Sequence, residues 1–280
     1  MPSELTLPFV PLPPSVPALR YFGGKWRLAP WVIGNLPSHR VYVEPFGGAA
    51  SVLLRKPPSH IEVMNDRNSL VVTFFRVVRE RGDELMRALE YTPVAVDEYD
   101  ACREIAGDDV ERARRFFVRS WGGFGGCSGH TYDGRLRATG WRRSSERNIA
   151  AHFVRAVESL RCVRERLRNV VIENLDWRDI IDTYDGDDTC FYVDPPYVHE
   201  SRGRTAPSDG YGDLEMSDAE HRALCRRLSS VRGDVVLSGY PNAIYDSELT
   251  SPWERVKVSA KGQAAGSRTE VLWIRDKNVC

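Results

Sequence analysis

A tetrapeptide that ends an apolar strand constrains this fold more than any other feature of the sequence. Asp194-Pro195-Pro196-Tyr197 follows the apolar run 190–193, which is typical of a buried strand. Two prolines cannot continue a hydrogen-bonded ladder, so the chain must turn there. In an open α/β sheet, ligands bind just beyond the carboxyl ends of the strands. The turn therefore predicts a carboxylate, a carbonyl oxygen and an aromatic ring, a set suited to a planar base with an exocyclic amine. An ordinary strand end with a proline turn is the alternative.

Two earlier segments predict neighbouring strand ends. Residues 41–51 indicate a strand, a turn with Gly47 and Gly48, and the start of a helix. Glycines let the backbone approach a ligand closely, and a helix N-terminus would add N–H donors. The next strand ends at Asp66, and an acid at the end of the second strand commonly holds a ribose diol. Two adjacent glycines without a third exclude the dinucleotide-binding fingerprint.

Composition agrees with a globular α/β protein. The chain has 280 residues, of which 42% are hydrophobic, enough to bury a full core. No apolar run approaches the roughly 20 residues that span a membrane, so we expect no membrane partner. The proline-rich segment 1–18 lacks a basic stretch and predicts a flexible arm rather than a signal peptide. The six cysteines show no CxxC pairing, which predicts reduced thiols and no metal site.

Charge is strongly segregated along the chain, although the formal net charge is zero. Residues 112–168 hold fourteen Arg, no Lys and four acids, whereas residues 169–220 hold fourteen acids and three Arg. This segregation would let a basic face contact phosphates while the remaining surface repels them. The alternative is a set of solvated helix faces paired with the acidic segment. The exclusive use of Arg in residues 112–168 favours nucleic-acid recognition, because the planar guanidinium group can form paired hydrogen bonds with phosphates and with guanine edges.

The arginine-rich segment contains a glycine-rich stretch, residues 121–129, that disfavours both helix and strand. The loop that continues to residue 148 interleaves arginines with Trp141, a pattern suited to phosphate contact and base stacking. We expect four of its arginines to contact nucleic acid: Arg135, Arg137, Arg142 and Arg143.

Hydrophobic patterning predicts alternating helices and strands. We expect helices over 26–36, 49–55, 68–80 and 149–168, helical charged sequence over 83–120, and strands over 41–45, 60–65, 170–174, 190–193, 234–238, 254–258 and 270–275.

Taken together, these motifs resemble the Dam-type DNA N6-adenine methyltransferases common in phages and prophages. The resemblance covers nearly the whole chain after about Leu19, and it includes residues 21–25, 44–48, 66, 194–197, 238–240 and 262–273. The family often has a second glycine where Ala50 stands. The resemblance implies a Rossmann-like S-adenosylmethionine-dependent methyltransferase fold of class α/β. Its catalytic domain would comprise residues 19–82 and 149–280, with residues 83–148 as an inserted, mostly helical target-recognition region.

The resemblance also implies roles for individual residues. Asp194 and the Pro195 carbonyl would accept hydrogen bonds from the adenine amine, and Tyr197 would stack on the base after it flips out of the duplex. The implied cofactor is S-adenosyl-L-methionine, and the residues expected to bind it are Tyr21, Lys25, Phe46, Gly47, Gly48, Asp66 and Asp194. Lys25 would reach the cofactor carboxylate or the catalytic turn. Asp176 would border the cofactor adenine or cap a helix.

The implied partner is double-stranded DNA, in the cytoplasm of a bacterial host or phage-infected cell, with the enzyme a monomer or weak dimer. The recognition sequence and a cognate restriction endonuclease stay open. Two other functions stay open as well. One is methylation of another amine, such as cytosine N4 or an RNA base, against which Asp at position 194 counts. The other is a catalytically silent DNA-binding protein, against which the intact 194–197 motif counts. Residues 199–213 are expected to form a mobile loop that closes over the extruded base.

Overall fold

A seven-stranded sheet organises the protein, in a computed structural model that describes residues 13–124, 131–132, 135–136, 140–143, 148–202, 211–261 and 267–277. The described strands, in chain order, are β1 (Val41–Glu44), β2 (Ile61–Asn65), β3 (Thr131–Tyr132), β4 (Arg135–Leu136), β5 (Val170–Glu173), β6 (Thr189–Val193), β7 (Asp234–Gly239), β8 (Glu254–Lys261) and β9 (Ser267–Arg275). The described α-helices are α1 (Ala29–Ile33), α2 (Ser69–Glu80), α3 (Gly82–Glu90), α4 (Val96–Ala101), α5 (Asp109–Gly122), α6 (Ile149–Leu167), α7 (Trp177–Tyr184), α8 (Asp218–Ser229) and α9 (Ala243–Glu248).

The order of the strands creates a switch point between β1 and β6. The sheet runs β5-β2-β1-β6-β7-β9-β8, with β9 antiparallel to both of its neighbours and the other pairs parallel. From β1 the chain proceeds outward through β2 to β5, and from β6 it proceeds the other way to β7. A crevice opens where the connections diverge, at the carboxyl ends of these strands. The expected α/β fold is therefore confirmed.

Successive side chains of the central strands point to opposite faces of the sheet, so they pack into two hydrophobic cores, one on each face. Tyr42 and Tyr192 pack into the core that includes residues of α2, α3, α5 and α6. Val43 and Phe191 pack into the core that includes residues of α7, α8 and α9. All five residues of β6 are buried, as expected for a central parallel strand covered on both faces.

Side-chain caps begin several helices, including α2, which was predicted over 68–80, and α8, which was not predicted. Asn68 accepts a hydrogen bond from the backbone N–H of Leu70 at the start of α2. Asp176 caps α7 through Arg178 N, so the capping alternative for Asp176 is confirmed. Ser217 and Glu220 form a reciprocal capping box at α8.

The expected helix over 49–55 is wrong, because the chain forms a series of turns there. Gly48 and Ala50 adopt φ angles of +48° and +51°, which a right-handed helix does not contain. The turns bring the backbone N–H of Leu53 to the Glu44 carboxylate at 2.8 Å. The positive φ of Ala50 is a conformation that glycine adopts without strain, which agrees with the glycine that the resemblance implies at this position. The helix expected over 26–36 is shorter in the structure, where α1 spans Ala29–Ile33.

The segment proposed as an insert shares the larger core with the rest of the protein. Phe116 and Phe117 of α5 pack against Phe74 of α2, with ring centroids 6.1 and 6.2 Å apart. The proposed boundary at residue 83 falls within the first turn of α3. Near the other proposed boundary, Ala18 is 1% exposed, and residues 1–12 lie outside the described part. None of the described helices is long and apolar enough to cross a membrane.

Candidate active site

A cleft of about 900 Å³, including the open space at its mouth, lies at the carboxyl ends of β1, β2 and β6. The motifs singled out in the sequence meet there. Of the residues expected at a site, the cleft is lined by Tyr21, Lys25, Phe46, Gly47, Gly48, Asp66 and Asp194. The proline turn contributes Asp194 and Pro196 to the wall, and Pro195 is buried between them.

The Asp194 carboxylate is held from two sides through the same oxygen. Ser238 Oγ, near the end of β7, donates a hydrogen bond to Asp194 Oδ1 at 2.6 Å. Lys25 Nζ lies 2.9 Å from the same Oδ1. Both contacts fix the orientation of the carboxylate while the side chain keeps 18% exposure to the cleft. The other oxygen, Oδ2, is thereby oriented to serve as an acceptor.

Lys25 reaches the catalytic turn, which was one of its two expected positions. It is buried and donates to the carbonyl oxygen of Gly23 at 2.8 Å. Burial by itself lowers the pKa of Lys25, but the Asp194 carboxylate and the charge of Glu270 outweigh it, so the pKa is raised from its ordinary value. The ammonium therefore stays protonated and balances the negative charge of the turn.

Tyr197 lies beside this ion pair. Lys25 Nζ is 4.6 Å from the centre of the Tyr197 ring, within cation–π range. The Tyr197 hydroxyl donates to Glu270 Oε2 at 2.9 Å. The ring also meets Tyr240 edge-on, with centroids 4.7 Å apart. The aromatic residue of the proline motif is thus held in one orientation.

The two glycines of the β1 turn are required for different reasons. A Cβ on Gly47 would lie 2.8 Å from Met64 Cγ and 2.9 Å from the Asn65 carbonyl oxygen. Gly47 therefore permits close packing of the turn on β2. Gly48 takes a positive φ and sits beside the Tyr21 ring. Together they form the cleft floor beside Asp66.

Asp66 orders this floor and faces the cleft. Its Oδ2 accepts from Gly48 N and its Oδ1 from Asn68 N, both at 2.7 Å. Burial raises the pKa of Asp66 to about 6, although these two N–H groups act in the opposite direction. Each carboxylate oxygen has a second lone pair, so the group retains acceptor capacity for a ligand.

Two features of the wall were not expected from the sequence. Trp177, the first residue of α7, lies 6.4 Å from Phe46 between ring centroids and adds an indole ring to the cleft wall beside Phe46. Glu44 also lines the cleft; burial raises its pKa to about 7, while the Tyr42 hydroxyl, which donates to it at 2.7 Å, lowers it. Trp177 follows directly after the cap residue Asp176, which is the signal that could have identified it.

The loop after the catalytic turn is anchored across the cleft at both described ends. Arg202 donates to both carboxylate oxygens of Glu215 at 2.8 and 2.6 Å, and to the Tyr197 carbonyl oxygen at 2.7 Å. Tyr211 lines the cleft and donates through its hydroxyl to the Phe22 carbonyl oxygen at 3.2 Å. The centre of the expected mobile loop, residues 203–210, lies outside the described residues.

Seven of the described arginines in residues 112–168 make internal ion pairs, but their acidic partners lie within residues 62–165 and not in the segment 169–220 that the alternative interpretation named. These are Arg112, Arg114, Arg115, Arg119, Arg164, Arg166 and Arg168. Of the four arginines that we expect to contact nucleic acid, Arg143 is exposed and Arg142 is half-buried. Arg135 begins β4, and Arg137 lies outside the described residues. Their contact with DNA stays a prediction.

The residues that the structure describes contain no cluster of His, Cys, Asp and Glu able to hold a metal ion. The described cysteines are free thiols: Cys102, Cys162, Cys190 and Cys225.

Comparison with known proteins identifies the class to which this site belongs. The family model of the D12 class N6 adenine-specific DNA methyltransferases matches residues 21–260. A DNA adenine methylase of Serratia marcescens is 25% identical over 249 residues, covering 84% of this chain and 85% of its own. The type II methyltransferase M.MjaIII of Methanocaldococcus jannaschii is 23% identical over 273 residues, covering 88% and 91%. A DNA adenine methylase of Escherichia coli K12 is 36% identical over 70 residues, 25% of each chain.

The chain belongs to the D12 class of N6 adenine-specific DNA methyltransferases. The expectation of an adenine-specific DNA methyltransferase is therefore confirmed, and the alternatives of a cytosine or RNA enzyme and of a silent binding protein fall away.

Proposed function

We propose that the cleft binds S-adenosyl-L-methionine and that Asp194, Pro195 and Tyr197 present an extruded adenine to it. The arrangement of Asp194 carries the proposal, because Lys25 and Ser238 both contact Oδ1 and orient Oδ2 as an acceptor. The donor set of the cleft suits this cofactor. A carboxylate that retains acceptor capacity, Asp66, fits a ribose diol, and the aromatic rings of Phe46 and Trp177 suit a purine.

When bound, S-adenosyl-L-methionine supplies an electrophilic methyl group on a sulfonium. The residues of the chain prepare the adenine amine, which is a poor nucleophile because its lone pair is delocalised into the ring. Asp194 Oδ2 and the Pro195 carbonyl accept its two N–H groups and draw the nitrogen toward tetrahedral geometry. The lone pair then localises and points at the methyl group. Holding both reactants in line is the main catalytic contribution, and no metal is required.

A base inside a duplex cannot reach this cleft, so the adenine must flip out, at a cost of a few kcal/mol. Residues 83–148 serve in this proposal as the target-recognition region, with Arg135, Arg137, Arg142 and Arg143 on the phosphates of double-stranded DNA. We place the enzyme in the cytoplasm of a bacterial or phage-infected cell, where its substrate lies, as a monomer or weak dimer. A cognate restriction endonuclease would be its partner in a modification system.

Labelling DNA with methyl-tritiated S-adenosyl-L-methionine tests this function. Purified protein is incubated with unmethylated double-stranded DNA, and the digested nucleosides are separated by chromatography. We expect label in N6-methyldeoxyadenosine. Label in a cytosine derivative, or no label with active control enzyme in parallel, would contradict the proposal. Methylation-sensitive sequencing of the same DNA then gives the recognition sequence.

A further inference from the structure

Glu270 is a buried carboxylate of β9 in the stretch 262–273, and no role was assigned to it from the sequence. It is 7% exposed, and β9 brings it in from the antiparallel end of the sheet, where Val258 of β8 pairs with it. An isolated buried carboxylate is costly, and an apolar side chain of similar size would be the simpler occupant of a core position. Its presence beside the catalytic turn therefore calls for a reason in the site itself.

The contacts of Glu270 converge on the aromatic ring of the proline motif. The Tyr197 hydroxyl donates to Glu270 Oε2 at 2.9 Å. Burial raises the pKa of Glu270, and the positive charge of Lys25 acts against burial more than any other group. Asp194 contacts the buried ammonium of Lys25 directly, and Glu270, on the Tyr197 side, is stabilised by the same charge from a longer distance.

Tyr197 is held at both its tip and its main chain. At the tip, the hydroxyl donates to Glu270 Oε2 at 2.9 Å, which is the shorter of its two contacts; the other is with Ser238 Oγ at 3.5 Å. At the main chain, Arg202 Nε donates to the Tyr197 carbonyl oxygen at 2.7 Å. Lys25 Nζ lies over one ring face and Tyr240 packs edge-on against the ring. The hydroxyl oxygen lies on the axis about which the ring turns, so a charged acceptor there fixes the position of the far end of the ring. Lys25 over the ring face and Tyr240 at its edge fix the ring plane.

We propose that Glu270 is a positioning residue for methyl transfer, which holds the far end of the Tyr197 ring in the position that receives the extruded adenine. This inference rests on the proposed role of Tyr197 in binding the base. A small displacement of the base from its in-line position slows the reaction strongly. Glu270 acts through Tyr197, so its removal should slow the chemical step and leave the affinity for S-adenosyl-L-methionine unchanged.

A double-mutant cycle on the single-turnover methylation rate tests the coupling. Tyr197→Phe removes the donor, Glu270→Ala removes the acceptor, and Glu270→Gln keeps an acceptor oxygen without the charge. We expect Tyr197→Phe and Glu270→Ala each to slow the rate by roughly tenfold, the worth of a hydrogen bond to a charged group. The double variant should be no slower than the slower single variant, and Glu270→Gln alone should give an intermediate rate, because it keeps an acceptor oxygen but loses the charge. Glu254→Gln, an exposed acid on β8, is the matched control.

Thermal unfolding and calorimetric titration of S-adenosyl-L-methionine accompany each rate. If Glu270→Ala does not fold, Tyr197→Phe and Glu270→Gln complete the test: Tyr197→Phe should be slow, and adding Glu270→Gln to it should change nothing further. Multiplying effects in the double variant, or a wild-type rate in folded Glu270→Ala or Tyr197→Phe, would overturn the inference and leave the proposed function standing. A wild-type protein that labels no DNA would reject the proposed function, and the inference with it.

Discussion

The strand ends and the arginine-rich segment use charge in opposite ways. At the strand ends, few charged groups are buried and each contacts a neighbour that orients it, as Lys25 and Ser238 do for Asp194. Several described arginines of residues 112–168 instead form ion pairs within the protein. One is Arg166 with Glu62, and both of these side chains are buried. The position of a residue relative to the strand ends therefore predicts its place in the cleft better than the charge of the surrounding segment does.

The largest effect should come from the catalytic turn. Asp194→Asn keeps the shape of the side chain but puts a donor where the amine needs an acceptor and weakens the contact with Lys25. We expect the methylation rate to fall by about 100-fold or more, on the scale of removing one preorganised polar group from an active site. Rate measurements on Asp97→Asn, an exposed acid at α4, serve as the control. A rate within a few-fold of wild type would end the claim that Asp194 holds the amine.

A smaller effect is expected at the ribose acceptor. Asp66→Ala should weaken the binding of S-adenosyl-L-methionine by about 1.5–3 kcal/mol, because two hydroxyls lose a charged acceptor. Gly48 and Asn68 also lose their tether to this carboxylate, so Asp66→Asn, which keeps one acceptor oxygen, should bind with intermediate affinity. Calorimetric titration measures both. Unchanged affinity in Asp66→Ala would remove Asp66 from the site.

The affinity for S-adenosyl-L-methionine should also depend on pH, through the carboxyl group of Asp66. Burial raises the pKa of Asp66 to about 6, so the carboxylate is ionised above that pH and protonated below it. The ionised form is the better acceptor, and binding should weaken as the pH falls, by roughly tenfold between pH 7 and pH 5. Titrations of wild type and Asp66→Asn across this range are compared. An equal pH dependence in both proteins would assign the titration to another group.

The smallest effect is expected in the arginine-rich segment. If Arg142 and Arg143 contact phosphates, their joint replacement by Ala should flatten the slope of log affinity against log salt by about 0.9 for each contact. Arg164 and Arg168, which pair with Asp83 and Glu165, provide the matched pair, and their replacement should leave the slope unchanged. An identical slope in both double variants would mean that Arg142 and Arg143 face away from the duplex.

The sequence predicted the features that depend only on residues close together in the chain. Proline ends β6, and a carboxylate follows β2, because these constraints act within a few residues of chain. The turns at 49–55 were missed because the positive φ of Ala50 depends on the packing of the turn against its surroundings. Glu270 and Tyr211 lie in segments that the sequence marked, residues 262–273 and 199–213, but their contacts at the site depend on strand pairing and on a long loop, so their individual roles could not be predicted.

The most direct test of the central claim is a crystal structure of the protein with sinefungin and a DNA duplex carrying its recognition sequence. We expect an adenine extruded into the cleft, with its N6 within hydrogen-bond distance of Asp194 Oδ2 and the Pro195 carbonyl oxygen, and with the ribose of the analogue on Asp66. An adenine that stays stacked in the duplex, or whose amine lies away from Asp194, would contradict it.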